Sequence, residues 1–184
     1  MRMFRLLKVQ SPALDWRLGG RRLRFGAHTF LAAADPDGRV FLEHHGIARG
    51  PGGSQLRRLG GLWPFQDEVL WGEAFPHRTG FYDESHPQGV LFAGPQEDLA
   101  RRLDAAEAVR LAVNARGLRY PWPALKRGNS NTYFHTLLAG MGLADIPLTG
   151  ALWAPGGRRL LLPRDELDRI CAGSAQGIRY SDPG

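Results

Sequence analysis

One cysteine, two lysines and no long apolar run set the first limits on this chain of 184 residues. A single thiol, Cys171, cannot close an internal disulfide or anchor a cysteine-rich zinc site, so packing must stabilise the fold. No apolar stretch approaches the roughly 18 residues that span a bilayer, the longest being short ones such as Thr29 to Ala34, and no transmembrane segment is expected. The start, Met1-Arg2-Met3-Phe4-Arg5, has the charge of a leader peptide, but Lys8 interrupts it and no long apolar stretch or small-residue cleavage site follows. The expectation is a protein that does not use the Sec route, either cytoplasmic or exported by a specialised one.

Arginine carries nearly all the positive charge of a chain whose net charge is +6. The pairs Arg21-Arg22, Arg57-Arg58, Arg101-Arg102 and Arg158-Arg159 are scattered, with carboxylates between several of them. Tracking a phosphate backbone needs basic residues gathered on one face, so the pattern argues against nucleic acid as a partner. Phosphate-loop and dinucleotide patterns are missing too, because the glycines at Gly50 to Gly53 and Gly156-Gly157 lack the spacing, and no cofactor is expected. No helical His-x-x-x-His pair exists, and adjacent His44 and His45 point oppositely on a strand. His77 and His86, with Asp83 and Glu84 between them, would meet a divalent ion only if their loop folded back, and are otherwise solvated; no metal site is assigned.

What is present is the composition of a globular protein, 43% apolar and 23% charged, with 24 glycines and 13 prolines to make turns. The length suits one domain over residues 1–184. Strands are predicted at Met3 to Val9, Asp15 to Leu18, Arg22 to Phe25, Thr29 to Ala34 and Arg39 to Ile47, with Asp35-Pro36-Asp37-Gly38 as the turn of an antiparallel hairpin. Gly50 to Gly61 reads as a loop or lid. Glu68 to Phe75 and Gly89 to Ala93 are two further strands flanking an irregular excursion. The period then changes. Leu99, Leu103, Ala106, Val109, Ala112 and Val113 recur at helical spacing across Gln96 to Ala115, Glu97 and Asp98 suit the first turn, and Gly117 closes it. Tyr120-Pro121-Trp122-Pro123 is an extended connector. A second helix is predicted from about Asn131 to Met141, stopped by Gly142. Strand pieces at Ala151 to Trp153 and Arg159 to Leu162 precede a short helix that opens at Pro163 and ends at Cys171. The order predicts an α+β fold, an antiparallel sheet packed against a few helices.

Chemistry concentrates at Gly128-Asn129-Ser130-Asn131-Thr132, just ahead of the second helix. Small polar side chains there cap a helix by accepting its orphan N–H groups. The same position favours a nucleophile, because free N–H groups and the positive dipole end stabilise an oxyanion beside it. A serine hydroxyl needs a base. His28 heads one hairpin strand and His45 closes the other; alternation puts Phe41, Glu43 and His45 on one face, and the turn makes His28 and His45 candidate cross-strand neighbours. Each histidine also reads simply as a strand residue. Tyr120, Trp122, Tyr133 and Phe134 would line an apolar groove or pack in the core.

The order of a histidine opening a strand (His28-Thr29-Phe30-Leu31), a histidine in the next strand (His45) and Asn129-Ser130-Asn131-Thr132-Tyr133-Phe134 at a helix start resembles the circularly permuted papain-like hydrolases. These are the permuted NlpC/P60 superfamily, which includes lecithin:retinol acyltransferase-like proteins. The resemblance covers roughly residues 25 to 145, the implied catalytic core, leaving 146–184 as C-terminal strands and a short helix. It implies a papain-like fold in permuted order and amide, ester or thioester chemistry on a peptide, lipid or other acyl-bearing substrate. Ser130 falls on the nucleophile position, where members typically carry cysteine, with His28 as base and His45 as the orienting residue. Asn129 and Asn131 would shape the turn or bind substrate, and Glu43 would orient the base or bind substrate. Serine for cysteine implies a serine-based enzyme or an inactive fold kept for recognition of a protein partner. Glu43-His44-His45-Gly46-Ile47-Ala48, the asparagine motif, Thr136-Leu137-Leu138 and Met141-Gly142-Leu143 also look like a pattern in uncharacterised bacterial proteins and toxin-like modules.

The asparagine motif also approaches the Gly-x-Ser-x-Gly nucleophile elbow without its last glycine. An α/β-hydrolase places its histidine after the serine, and here the only later one, His135, lies within the same helix. The sequence thus leaves an amide or ester hydrolase or acyltransferase beside a non-catalytic interaction domain.

Overall fold

A computed structural model of the chain describes residues 2–18, 21–50, 56–57, 68–120, 128–156 and 159–175. The fold is α+β. Six antiparallel strands, β1 (Phe4–Leu18), β2 (Arg21–Ala34), β3 (Val40–Arg49), β4 (Leu56–Arg57), β5 (Val69–Phe75) and β6 (Gln88–Gly94), form one sheet in the order β4-β3-β2-β1-β6, with β5 also paired to β3. Three helices follow: α1 (Gln96–Ala115), α2 (Ser130–Gly140) and α3 (Arg164–Ala175). None of them is long and apolar enough to cross a membrane.

Both faces of the sheet are covered, which explains why its central strands are nearly continuous in apolar residues. Leu6, Leu31, Ala33, Ala48 and Leu70 point to the helices and join Val109, Tyr133, Phe134 and Leu137 in the larger core. Leu7, Val9, Phe30, Ala32 and Ala34 point the other way, against Tyr82 and Phe81 of the excursion between β5 and β6. Asp35-Pro36-Asp37-Gly38 forms the predicted hairpin turn. The Asp35 carboxylate accepts the N–H groups of Asp37 and Arg39, and Gly38 takes φ +84°.

One irregularity positions the site. β2 pairs with β3 only from Leu31↔His44 to Ala34↔Val40. Beyond that point β5 runs along one edge of β3, while β4 meets Ala48 and Arg49 on the other, so β2 and β3 part company. The free edge of β2 is closed without a strand: Ala27 N–H donates to the Trp153 carbonyl at 2.8 Å and Thr29 N–H to Asn131 Oδ1 at 3.0 Å. The N-terminus of α2 therefore docks where the sheet splits.

The predicted strands at Met3 to Val9 and Asp15 to Leu18 are one continuous strand. Ala151 to Trp153 is not a strand: the Trp153 carbonyl accepts the Ala27 N–H, but the Ala151 N–H goes back to the Leu148 carbonyl and that of Leu152 to the Gln10 side chain, and the chain then turns at Pro155-Gly156. Arg159 to Leu162 is not one either, because the Leu161 N–H donates to the Thr136 hydroxyl instead of a ladder. α1 has the predicted bounds, and α2 begins at Ser130 with Asn129 as its N-cap. Most of the predicted connector Tyr120 to Pro123 and most of the predicted 50–61 loop or lid lie outside the described residues.

Candidate functional site

Alternation along β3 sends Glu43 and His45 to the face of Phe30 and sends His44 to the helices. The Nδ1 of His45 lies 2.9 Å from the Nε2 of His28, and the Nε2 of His45 lies 2.7 Å from Glu43 Oε2. The two imidazoles are stacked, 11° apart with centroids at 5.2 Å. Phe30, Phe75 and Phe81 pack their rings around His45, and all three members of the chain are buried. At the far end, Thr79 donates its N–H to Glu43 Oε1 at 2.8 Å and its hydroxyl to Oε2 at 2.6 Å. Burial pushes the Glu43 carboxyl up, but the hydrogen bonds from His45 and Thr79 outweigh it and hold the group below the usual carboxylate range.

An ionised Glu43 only accepts hydrogen bonds, which fixes the protons of its neighbours. The Nε2 of His45 therefore carries hydrogen; when His45 is neutral, its Nδ1 lone pair accepts from His28 Nε2–H, and the Nδ1 of His28 is then the accepting end of the chain. A proton taken there can shift inward, leaving the positive charge on the imidazole that touches the carboxylate. Such a carboxylate-imidazole-imidazole chain behaves chemically as a general base backed by a counter-charge.

The asparagine motif is fully engaged. Asn129 caps α2, its Oδ1 accepting the Thr132 N–H at 3.0 Å and the Thr132 hydroxyl at 3.2 Å, while its Nδ2 donates to the Pro155 carbonyl at 2.8 Å. Asn131 Nδ2 reaches the same carbonyl at 3.2 Å. Ser130, 4% exposed, lies against the phenol of Tyr120, a residue of the helix-side core, and its side chain and backbone work to lower the pKa of that phenol. Burial leads the causes that raise the Tyr120 phenol above its ordinary value, so this phenol stays protonated.

The residues predicted from sequence thus fall into two groups. Glu43, His45 and His28 form one chain on the far face of the sheet. Asn129, Ser130 and Asn131 cap α2 on the helix side, and among the described residues no hydrogen bond joins Ser130 to His28 or His45. One bond links the neighbours of the two groups: the side-chain oxygen of Asn131, next to Ser130, accepts the N–H of Thr29, next to His28. Of the N–H groups after Ser130 expected to face an oxyanion, that of Thr132 is taken by Asn129 and that of Tyr133 by the Asn129 carbonyl, and among the described residues no hydrogen bond engages that of Asn131. Glu43 closes the chain against Thr79 instead of facing a groove. In the 76–87 excursion the Asp83 carboxylate accepts the Ser85 N–H and Glu84 lies near Arg78. Among the described residues no group of three or more His, Cys, Asp or Glu side chains is placed to hold a metal ion.

Thr79, Phe75 and Phe81 belong to this site and were not singled out in the sequence. An irregular excursion has no period, so nothing marked Thr79 as the clamp of Glu43. Comparison with protein-family models, with curated proteins and with solved structures gave no match.

Proposed function

We propose that this chain is an amide or ester hydrolase, or an acyltransferase, of the permuted papain-like kind. The observation that carries the reading is the buried Glu43-His45-His28 chain, whose accepting nitrogen belongs to the residue next to the one that holds the α2 N-terminus. Burying a carboxylate and two imidazoles is costly unless their polar groups are satisfied, and here Glu43, His45 and the Nε2 of His28 satisfy one another with the help of Thr79, while the His28 Nδ1 is itself buried.

In the proposed reaction Ser130 leaves Tyr120 and its Oγ attacks the substrate carbonyl as His28 Nδ1 takes the hydroxyl proton. The Asn131 N–H, at the positive end of α2, faces the oxyanion. Collapse breaks the bond to the leaving amine or alcohol, which receives the proton from His28. Water, or an acceptor hydroxyl or amine, then releases the acyl group by the same steps in reverse. His45 orients His28, Glu43 stabilises the charge, and Asn129 and Asn131 shape the turn. The substrate is a peptide, lipid or other acyl-bearing molecule. Mapping a fluorophosphonate adduct by mass spectrometry tests the assignment: the adduct is expected on Ser130, and an adduct elsewhere, or none, counts against it.

A second reading, a non-catalytic recognition domain, is favoured by one specific observation. The side chains of Asn129, Asn131 and Thr132 already have structural partners, and Ser130 lies against Tyr120 instead of an imidazole. Under this reading the asparagine motif is a helix cap that also closes the split sheet.

A further inference from the structure

Ser11 of β1 and His28 of β2 are direct partners in the antiparallel ladder, so their side chains leave the sheet on the same face, beside Phe30 and the His45 ring. Ser11 is wholly buried, and its hydroxyl has no hydrogen-bond partner among the described residues. A buried O–H without an acceptor is unfavourable, and a serine hydroxyl reaches a neighbouring acceptor by rotating about two bonds. With Glu43 ionised and His45 neutral, the Nδ1 of His28 is such an acceptor.

We infer that Ser11 is the fourth member of the chain, a positioning residue whose hydroxyl, after rotation of its side chain, donates to His28 Nδ1 in the resting protein. The inference rests on the reading of this chain as a general base. The Ser11 bond holds the His28 ring in the Nε2–H tautomer and in the plane of its stack with His45. Complete burial keeps Ser11 from meeting a carbonyl substrate, which separates its role from that of Ser130. The four side chains, Ser11, His28, His45 and Glu43, then run across three strands.

Nitrogen-resolved NMR of the histidine rings in the full chain tests this. The expected wild-type spectrum has hydrogen on His28 Nε2 and an Nδ1 resonance shifted upfield, as for a nitrogen accepting a hydrogen bond. Ser11→Ala is expected to move that resonance downfield to the position of an unbonded acceptor, and Ser11→Thr, which keeps the hydroxyl, to restore it. An Nδ1 resonance unchanged in Ser11→Ala overturns the inference. Should Ser11→Ala fail to fold, the wild type decides: a slowly exchanging Ser11 hydroxyl proton with a cross-peak to the His28 ring supports the bond, and its absence overturns it. None of these readouts needs activity, so a failure of probe labelling would remove the catalytic reading and leave this result distinct.

Discussion

The side-chain oxygen of Asn131 accepts the backbone N–H of Thr29 at 3.0 Å, tying the residue after Ser130 to the residue after His28. This bond replaces a ladder bond that β3 cannot supply once it has turned away from β2. Asn131→Ala leaves a buried N–H without an acceptor, at a cost of about 1–3 kcal/mol. The expected outcome is a lower urea midpoint with an unchanged denaturant slope, measured by circular dichroism; an unchanged midpoint would mean the helix is held by packing alone.

Gly46 and Gly72 pair across β3 and β5 beneath the buried ring of Tyr133. A Cβ on either would lie 2.6 or 2.5 Å from Tyr133 atoms, inside contact distance. The ring is fully buried and cannot swing out, so Gly46→Ala and Gly72→Ala are each expected to destabilise by roughly 1–3 kcal/mol, the range for overpacking a core. Thermal unfolding of both variants checks this, and wild-type stability in either would contradict the packing.

Stability should depend on pH through His44, which faces the helices near Glu107 and Arg110. Burial drives its pKa from 6.5 down to about 4. A histidine depressed in this way stabilises the native state fully above the unfolded value, and the contribution is lost as pH falls from about 6.5 through about 4. The urea midpoint of the wild type is expected to drop between pH 7 and pH 4.5, and His44→Leu should flatten that drop. An equally steep loss in the variant would place the sensitivity elsewhere.

Glu43 acts in the adjoining, more acidic window. Its carboxyl is held below its ordinary value of 4.5, so its contribution is present above that pH and disappears as pH falls through the lower native value. Glu43→Gln should weaken the fold at neutral pH, because an amide cannot accept from His45 and both Thr79 donors as a carboxylate does. It should also lose less stability than the wild type below pH 4.5. A parallel acid profile for the two proteins would show that Glu43 is not the group that titrates.

Much of the fold was legible because it is periodic. Alternation at Glu43 and His45, the Asp35 to Gly38 turn and the helical spacing of Leu99, Val109 and Val113 each predict their element, and α1 has the bounds its pattern implies. The His28–His45 contact was expected from the hairpin but is not a ladder pair: the β2–β3 ladder ends at Leu31↔His44, and the two imidazoles meet through their side chains beyond it. What was not legible depends on contacts across the chain. The divergence of β2 from β3 has no local signature, so the face on which Ser130 would sit relative to His28 was not readable. Thr79 is one threonine in a loop without period. Ala151 to Trp153 looks like a strand by composition, yet its bonding is decided by the free edge of β2. Among the site residues the motif was visible, whereas the Tyr120 phenol that engages Ser130 lies ten positions upstream with no spacing rule to connect them.

The central claim is that the Glu43-His45-His28 chain serves as the base for Ser130, and the rate of labelling by a fluorophosphonate probe tests it most directly. The wild type should label, Ser130→Ala and His28→Ala should lose labelling, and Glu43→Gln should slow it by roughly 10²-fold or more, the scale of general-base contributions. Labelling unaffected by both Ser130→Ala and His28→Ala would contradict the account.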